Sequence, residues 1–234
     1  MLFVMVLITS TISGIAGMGG GVLLLSVMLG FYPLNTLIPL HGTIQLFSNI
    51  SRVSIHFKEI KWKYYSLYTA GAILGALLGF LFKPNLPENF LKIFIALFII
   101  FITWKPKGKP SNAFFFPVGM GSTWLSLIIG SSGPILAPLF SDRGFTNRQI
   151  LGTKAACQMM THLFKVILYI YWGFALSQFW MELLISLPLV FIGNWIGGQL
   201  VRFLSPQVFN KVFKIGITLL CVKTLIQYIL PLTR

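Results

Sequence analysis

Gly14-Ile15-Ala16-Gly17-Met18-Gly19-Gly20-Gly21 and Gly130-Ser131-Ser132-Gly133-Pro134 each interrupt a strongly apolar run, one in each half of the chain. Inside a helix, glycine costs about 1 kcal/mol relative to alanine and proline about 3. Hydrocarbon offers no water to freed backbone groups, so irregular backbone persists there only against protein or a wet cavity. Either break alone fits close helix packing through small residues. Two breaks at matching places in two halves point instead to the binding site of a transporter built from repeats.

The surroundings of the breaks set the class. The chain of 234 residues is 56% hydrophobic and 9% charged, with a mean hydropathy of +0.85. Soluble domains carry about 25% charged residues, so this composition implies a polytopic all-α membrane protein. Residues 1–13 lack a basic n-region with a small-residue cleavage site and read as part of the fold. Cys157 and Cys221 sit far apart in apolar runs, without CxxC or metal spacing, and read as packed thiols. No metal or cofactor is expected. The net charge of +14 would suggest nucleic acid in a soluble protein. In a membrane protein, cytoplasmic loops absorb it, and nucleic acid is not an expected partner. The four acids, Glu59, Glu88, Asp142 and Glu182, all lie in or beside predicted loops. A cation carrier or carboxylate proton relay places an acid inside a span, so their position favours an anionic or neutral substrate.

The arms flanking the first break, residues 2–13 and 22–31, are each shorter than the ~20 residues of a full span. They read as a re-entrant hairpin over 1–32. Spans follow at 36–57, 64–82 and 90–104, completing a first repeat over 1–104. The linker 105–112 is rich in lysine and proline. The second repeat, 113–230, has a hairpin at 113–140 and spans at 149–171, 180–201 and 208–229. Glycine faces for helix packing recur at Gly71, Gly75 and Gly79, and at Gly193, Gly197 and Gly198. The phrase Phe90-Leu91-Lys92-Ile93-Phe94 resembles Phe209-Asn210-Lys211-Val212-Phe213, as an internal repeat would.

If each hairpin re-enters without crossing, loops 58–63, 105–109, 141–148 and 202–211 share one side. They hold Lys58, Lys61, Lys63, Lys105, Lys107, Lys109, Arg143, Arg148, Arg202 and Lys211. The other side has 31–35 and 172–178, both uncharged, and 83–89, with Lys83 against Glu88. Positive-inside bias places the first set and the linker in the cytoplasm of a multi-pass plasma-membrane protein. An odd number of crossings per half makes the two repeats inverted, and their broken tips meet near the midplane.

One face of span 36–57 carries His41, Gln45, Asn49, Arg52 and His56, and one face of span 149–171 carries Lys154, Gln158, His162, Lys165 and Tyr169. A shift of 113 residues relates the two sets member by member, and carries Gly17 onto Gly130 and Gly20 onto Gly133. Gly42-Thr43 and Gly152-Thr153 instead need a shift of 110. His41, His56 and Lys154, near span ends, also fit snorkelling to the interface. Asn49 and His162 lie nearest mid-span, where function is the default reading. Helices starting inside the membrane, from Val22 and from Ile135, would aim unpaired N–H groups at the tips Gly19, Gly20, Gly21 and Ser131, Ser132, Gly133. Gln45, Asn49, Gln158 and His162 add polar contacts. Arg52 and Lys165 add charge, and Arg can grip an oxyanion in bidentate fashion. Donors and cations without an acid suit a small anion. His41 or His162 is the candidate to carry a coupling proton.

The breaks, the duplication and the apolar arm after Gly17-Met18-Gly19-Gly20-Gly21 resemble the sulfite exporter TauE/SafE family, over essentially the whole chain. That resemblance implies export of sulfite, an organosulfonate or a related sulfur-containing anion by alternating access. The expected partners are that anion and the bilayer, with room for a homodimer, and no enzymatic activity is expected. Two rivals stand beside it. Gly130-Ser131-Ser132-Gly133 with His162 matches the GxSG and dyad of a rhomboid-like intramembrane serine protease. Filter-like breaks also serve an anion channel, or a scaffold without turnover.

Overall fold

The computed structural model describes residues 2–16, 19–82, 87–104, 114–140, 144–200 and 206–229. Gly17, the linker 105–112, Asp142, Arg143, Arg202 and the loop 83–86 lie outside the described residues. Among those described, the chain is helical and has no strand. The helices are α1 (Leu2–Ala16), α2 (Gly20–Met28), α3 (Leu34–His56), α4 (Trp62–Leu81), α5 (Glu88–Trp104), α6 (Phe115–Ile129), α7 (Gly133–Leu136), α8 (Asn147–Tyr171), α9 (Trp180–Leu200) and α10 (Pro206–Ile229).

The glycine breaks are real interruptions. Gly19 (φ 95°) precedes α2, and Gly130 (φ 85°) ends α6. A side chain at such φ values is strained, which is why glycine stands at both. The two second arms differ from expectation and from each other. α2 starts at Gly20, two residues before Val22, and runs nine residues along α1. α7 starts at Gly133, two residues before Ile135, lasts four residues and passes into a 3-10 turn over Ala137–Phe140. Pro134 falls in the first turn, where proline is tolerated, but Pro138 removes a backbone N–H from the stretch that follows, which disfavours a regular helix there.

α3 and α8 form the central pair, buried by α4, α9 and α6. Their polar stripes need that shielding. α4 and the stretch Leu176–Leu200 are long and apolar enough to cross a bilayer, and α1 and α6 are shorter apolar helices. α4 and α9 leave Leu77, Phe80, Phe191 and Trp195 exposed on their outer faces, the surface a bilayer would cover. α8 starts on a capping box: Thr146 Oγ1 accepts from Gln149 N (3.3 Å), and Gln149 Oε1 accepts from Thr146 N (3.2 Å).

The packing repeats between halves. α1 packs on α9 as α6 packs on α4, α3 on α9 as α8 on α4, and α3–α8 and α5–α10 each pair with their own counterpart. Glycine makes the two outer contacts. A Cβ on Gly71, Gly75 or Gly119 would strike backbone oxygen of Phe116, Met120 or Tyr68. Gly193 and Gly197 likewise meet Leu7, Ser10, Thr11 and Gly14 on α1. Gly79 lies against the Leu127 side chain. Gly198 does not belong to this face, because nothing lies within 4 Å of its Cβ position. It follows Gly197 by one residue, and a 100° step per residue turns it away.

Hydroxyl groups tie the inner helices together. Tyr68 Oη lies 2.6 Å from Ser122 Oγ and 2.7 Å from Thr161 Oγ1, and Thr161 Oγ1 lies 3.1 Å from Thr123 Oγ1. All four are buried and link α4, α6 and α8. Tyr68→Phe is expected to cost about 1–3 kcal/mol, since it leaves buried hydroxyls short of a partner. Thermal unfolding of the purified variant checks this.

Candidate functional site

α3 and α8 run antiparallel. Gly42 lies against Lys165, its Cβ position 2.8 Å from Lys165 Cδ, and Gly152 lies against His56. That register sets the two polar stripes face to face. His41 and His162 meet edge to face, with ring centroids 6.2 Å apart. Both histidines are buried, as are Gln45, Asn49, Arg52, Ser131, Ser132, Gln158 and Lys165. Lys154 and His41 are also buried, so neither snorkels to an interface.

The broken tips carry the centre of this cluster. Lys165 Nζ donates to the carbonyl of Gly130 (2.5 Å) and to His162 Nδ1 (3.3 Å). With Lys165 as an ammonium, which has no acceptor capacity, this contact calls for the Nε2–H tautomer of His162. His41 Nε2 donates to the carbonyl of Gly21 (2.8 Å). Its Nδ1 is buried without a hydrogen-bond partner. Each tip is therefore held by a side chain from the stripe of its own half: Gly21 by His41 of α3, and Gly130 by Lys165 of α8. Gly130 caps the C-terminal end of α6, where helix carbonyls are left unpaired, and its positive φ accompanies the turn of its carbonyl toward Lys165, whereas Gly21 lies in the first turn of α2.

Glutamines seat the glycines in both halves. A Cβ on Gly21 would come 2.6 Å from Gln45 Oε1, and a Cβ on Gly133 would come 2.8 Å from Gln158 Nε2. Gly20 is pressed against Thr9 and Ser13 of α1. Ser132 Oγ is buried and unpartnered. Four-residue α7 is too short to carry a helix-end charge.

Arg52 occupies a separate place. Its Nη2 donates to Asn49 Oδ1 (2.7 Å) and its Nε to the Ser48 carbonyl (3.3 Å), while Asn49 Nδ2 donates to the Gln45 carbonyl (2.8 Å). Arg52 lies ten positions beyond Gly42 on α3, about 15 Å by helical rise, whereas Gly42 touches Lys165. The two cations thus stand toward opposite ends of the polar seam. Asn194 of α9, not singled out in the sequence, enters here: its Nδ2 donates to the Ser48 carbonyl (3.2 Å) and its Oδ1 is buried and unpartnered. A lone amide in an apolar run was the available signal. The acids stay out: Glu59, Glu88 and Glu182 are all at least partly exposed.

The protease geometry is not assembled. Ser132 Oγ bonds to nothing, and His162 Nδ1 is engaged by Lys165. Cys157 and Cys221 are buried and free, with Cys221 Sγ 3.8 Å from Ser26 Oγ.

A helical protein with apolar outer helices and a buried cationic seam at two broken helices, into which none of the described acids reaches, has the build of a membrane transporter. The family model of the sulfite exporter TauE/SafE family matches residues 2–224, and the chain belongs to that family. No curated protein and no solved structure matches it. The family is one of membrane-embedded transporters of sulfur-containing anions.

Proposed function

We propose that this chain moves sulfite, an organosulfonate or a related sulfur oxyanion across the plasma membrane, binding it between the two glycine tips. One observation carries the reading. Lys165 is fully buried and, among the described residues, is held by the neutral acceptors Gly130 O and His162 Nδ1, and none of the described acids is buried. A buried charge is costly without an opposite partner, and a visiting anion supplies one. Gln45, Gln158, Ser131 and Ser132, beside Gly19–Gly21 and Gly133, contribute polar groups at the tips. Arg52 and Asn49 continue the path toward the other end.

The exchange of packing partners between halves supports two inverted repeats, 1–104 and 113–230, that rock about the α3–α8 seam. The stretches 34–36, 88 and 172–178 meet round one cavity. Loop 58–63 meets Thr153 and Phe145 at the other end. That separation supports a cytoplasmic place for the basic loops and an external one for the uncharged loops.

His41 supplies a way to couple a proton. Its unpartnered Nδ1 is an acceptor in the neutral ring, and one added proton turns it into a donor for an anion. His41→Gln and His162→Gln are to be compared in proteoliposomes across an imposed pH gradient. The coupling reading expects His41→Gln to transport down the anion gradient alone, without acceleration by the pH gradient. Full acceleration in both variants would remove the histidines from the mechanism.

A further inference from the structure

The α3–α8 pair is unequal at its two ends. At the end near loop 58–63 it is shut. A Cβ on Gly152 would lie 2.8 Å from the His56 carbonyl oxygen and 3.0 Å from His56 Cβ. Ile60 Cγ1 is also near, at 3.5 Å, and Lys61 N donates to Thr153 Oγ1 at 2.9 Å. The 113-residue shift carries His56 onto Tyr169 and Ile60 onto Gly173. Both of those line an open cavity of about 530 Å³ at the opposite end. Related positions thus close one end and leave the other apart.

Ile38, Leu127, Ile128 and Tyr169 line that cavity, and we take them as its floor. Tyr169 Oη donates to the Leu127 carbonyl at 2.8 Å, pinning α8 to α6 across the floor. Directly beneath, Ile38 Cγ1 lies 3.8 Å from the Cβ position of Gly130, whose carbonyl holds Lys165. One layer of side chains therefore separates the cavity from the cationic centre. A helical turn along α8 separates Tyr169 from Lys165.

We propose that Tyr169, with Ile38, is the outer gate of the transport path, and that Gly152 and Thr153 are the seat on which His56 and Lys61, respectively, close the inner end. The structure is then the state that faces the cavity side. Opening the Tyr169–Leu127 contact lets the anion reach Lys165. Unseating His56 from Gly152 lets it leave at the other end. This rests on the carrier reading above, and adds the residues that decide which end is open. Gly152 matters because only hydrogen fits between α8 and the His56 backbone, so a larger residue holds the inner end apart.

The test is thiol accessibility, which needs no substrate. Ser132→Cys places a reporter beneath the floor, with Ser131→Cys as a second reporter if the first fails to fold. Right-side-out and inside-out vesicles are treated with a membrane-impermeant methanethiosulfonate. The unmodified chain controls for the buried Cys157 and Cys221. Tyr169→Ala is expected to speed labelling from the cavity side by about ten-fold, the factor carried by about one net hydrogen bond of closure. Ile38→Ala gives a second opening of the same gate. Gly152→Leu is expected to add labelling from the opposite face. Unchanged cavity-side rates in both gate variants overturn the outer gate, and a Gly152→Leu reporter still closed to the opposite face overturns the inner seat. If these rates shift while no anion binds, the gate stands and the carrier reading falls. If an anion binds and the rates do not shift, the gate falls alone.

Discussion

Lys165→Met is expected to lower anion transport by about a hundred-fold or more while the protein still folds. Methionine keeps an unbranched apolar stem, one atom shorter, and removes the charge. Truncating one member of a buried charged pair costs about 2–5 kcal/mol in binding, which spans that factor. Stability moves less, because two effects oppose. The Gly130 carbonyl and His162 Nδ1 lose their donor, at about 1–3 kcal/mol for each buried group left short. The cost of burying an ammonium disappears at the same time. Lys165→Arg should recover little, since a planar guanidinium does not reproduce the contacts of a compact ammonium with the Gly130 carbonyl and His162 Nδ1. Uptake into proteoliposomes, set beside the melting temperature of the same preparations, separates lost binding from lost fold. Wild-type uptake in the methionine variant would show that Lys165 is structural.

Gly75→Leu is expected to abolish folded protein, and Gly198→Leu to leave yield and melting unchanged. A Cβ on Gly75 lands on the Met120 backbone, which no rotamer change can relieve. α4 and α6 must then move apart, and the neighbouring contacts at Gly71 and Gly119 are lost with them. Overpacking a well-fitted site costs about 1–3 kcal/mol when side chains give way, and more when only backbone can. Gly198 is a fair control because it sits in the same kind of helix with open space at its Cβ. Detergent-solubilised yield and thermal melting read both. Equal behaviour of the two variants would contradict the close α4–α6 contact.

These two residues also show what a sequence reveals. The stripes on α3 and α8 were legible because helical spacing put one polar group per turn into otherwise apolar runs, and the stripes do meet, at His41 and His162. The glycine faces were legible by the same spacing, except at Gly198, where a run of two glycines conceals which one faces the neighbour. Lys154 and His41 were ambiguous because position along a span does not say whether a neighbour covers its end. The Tyr68–Ser122–Thr161 cluster was invisible, since single hydroxyls are common in apolar helices and only three-dimensional packing makes them converge. The second arm departed from the first where Pro138 disfavours the helix that Gly20–Met28 forms. The unequal ends of α3–α8 lay beyond any repeat pattern, because a repeat describes what two halves share.

The central claim is that the buried seam between the glycine tips binds a sulfur oxyanion. Its most direct test is equilibrium binding of sulfite, sulfate, thiosulfate and a small sulfonate to the purified detergent-solubilised protein. Lys165→Ala and Arg52→Ala are measured alongside. Saturable binding of one of these anions is predicted, lost in Lys165→Ala and weakened in Arg52→Ala. Absence of binding for all four anions, in protein shown to be folded by its melting transition, would contradict the account and favour a scaffold without turnover.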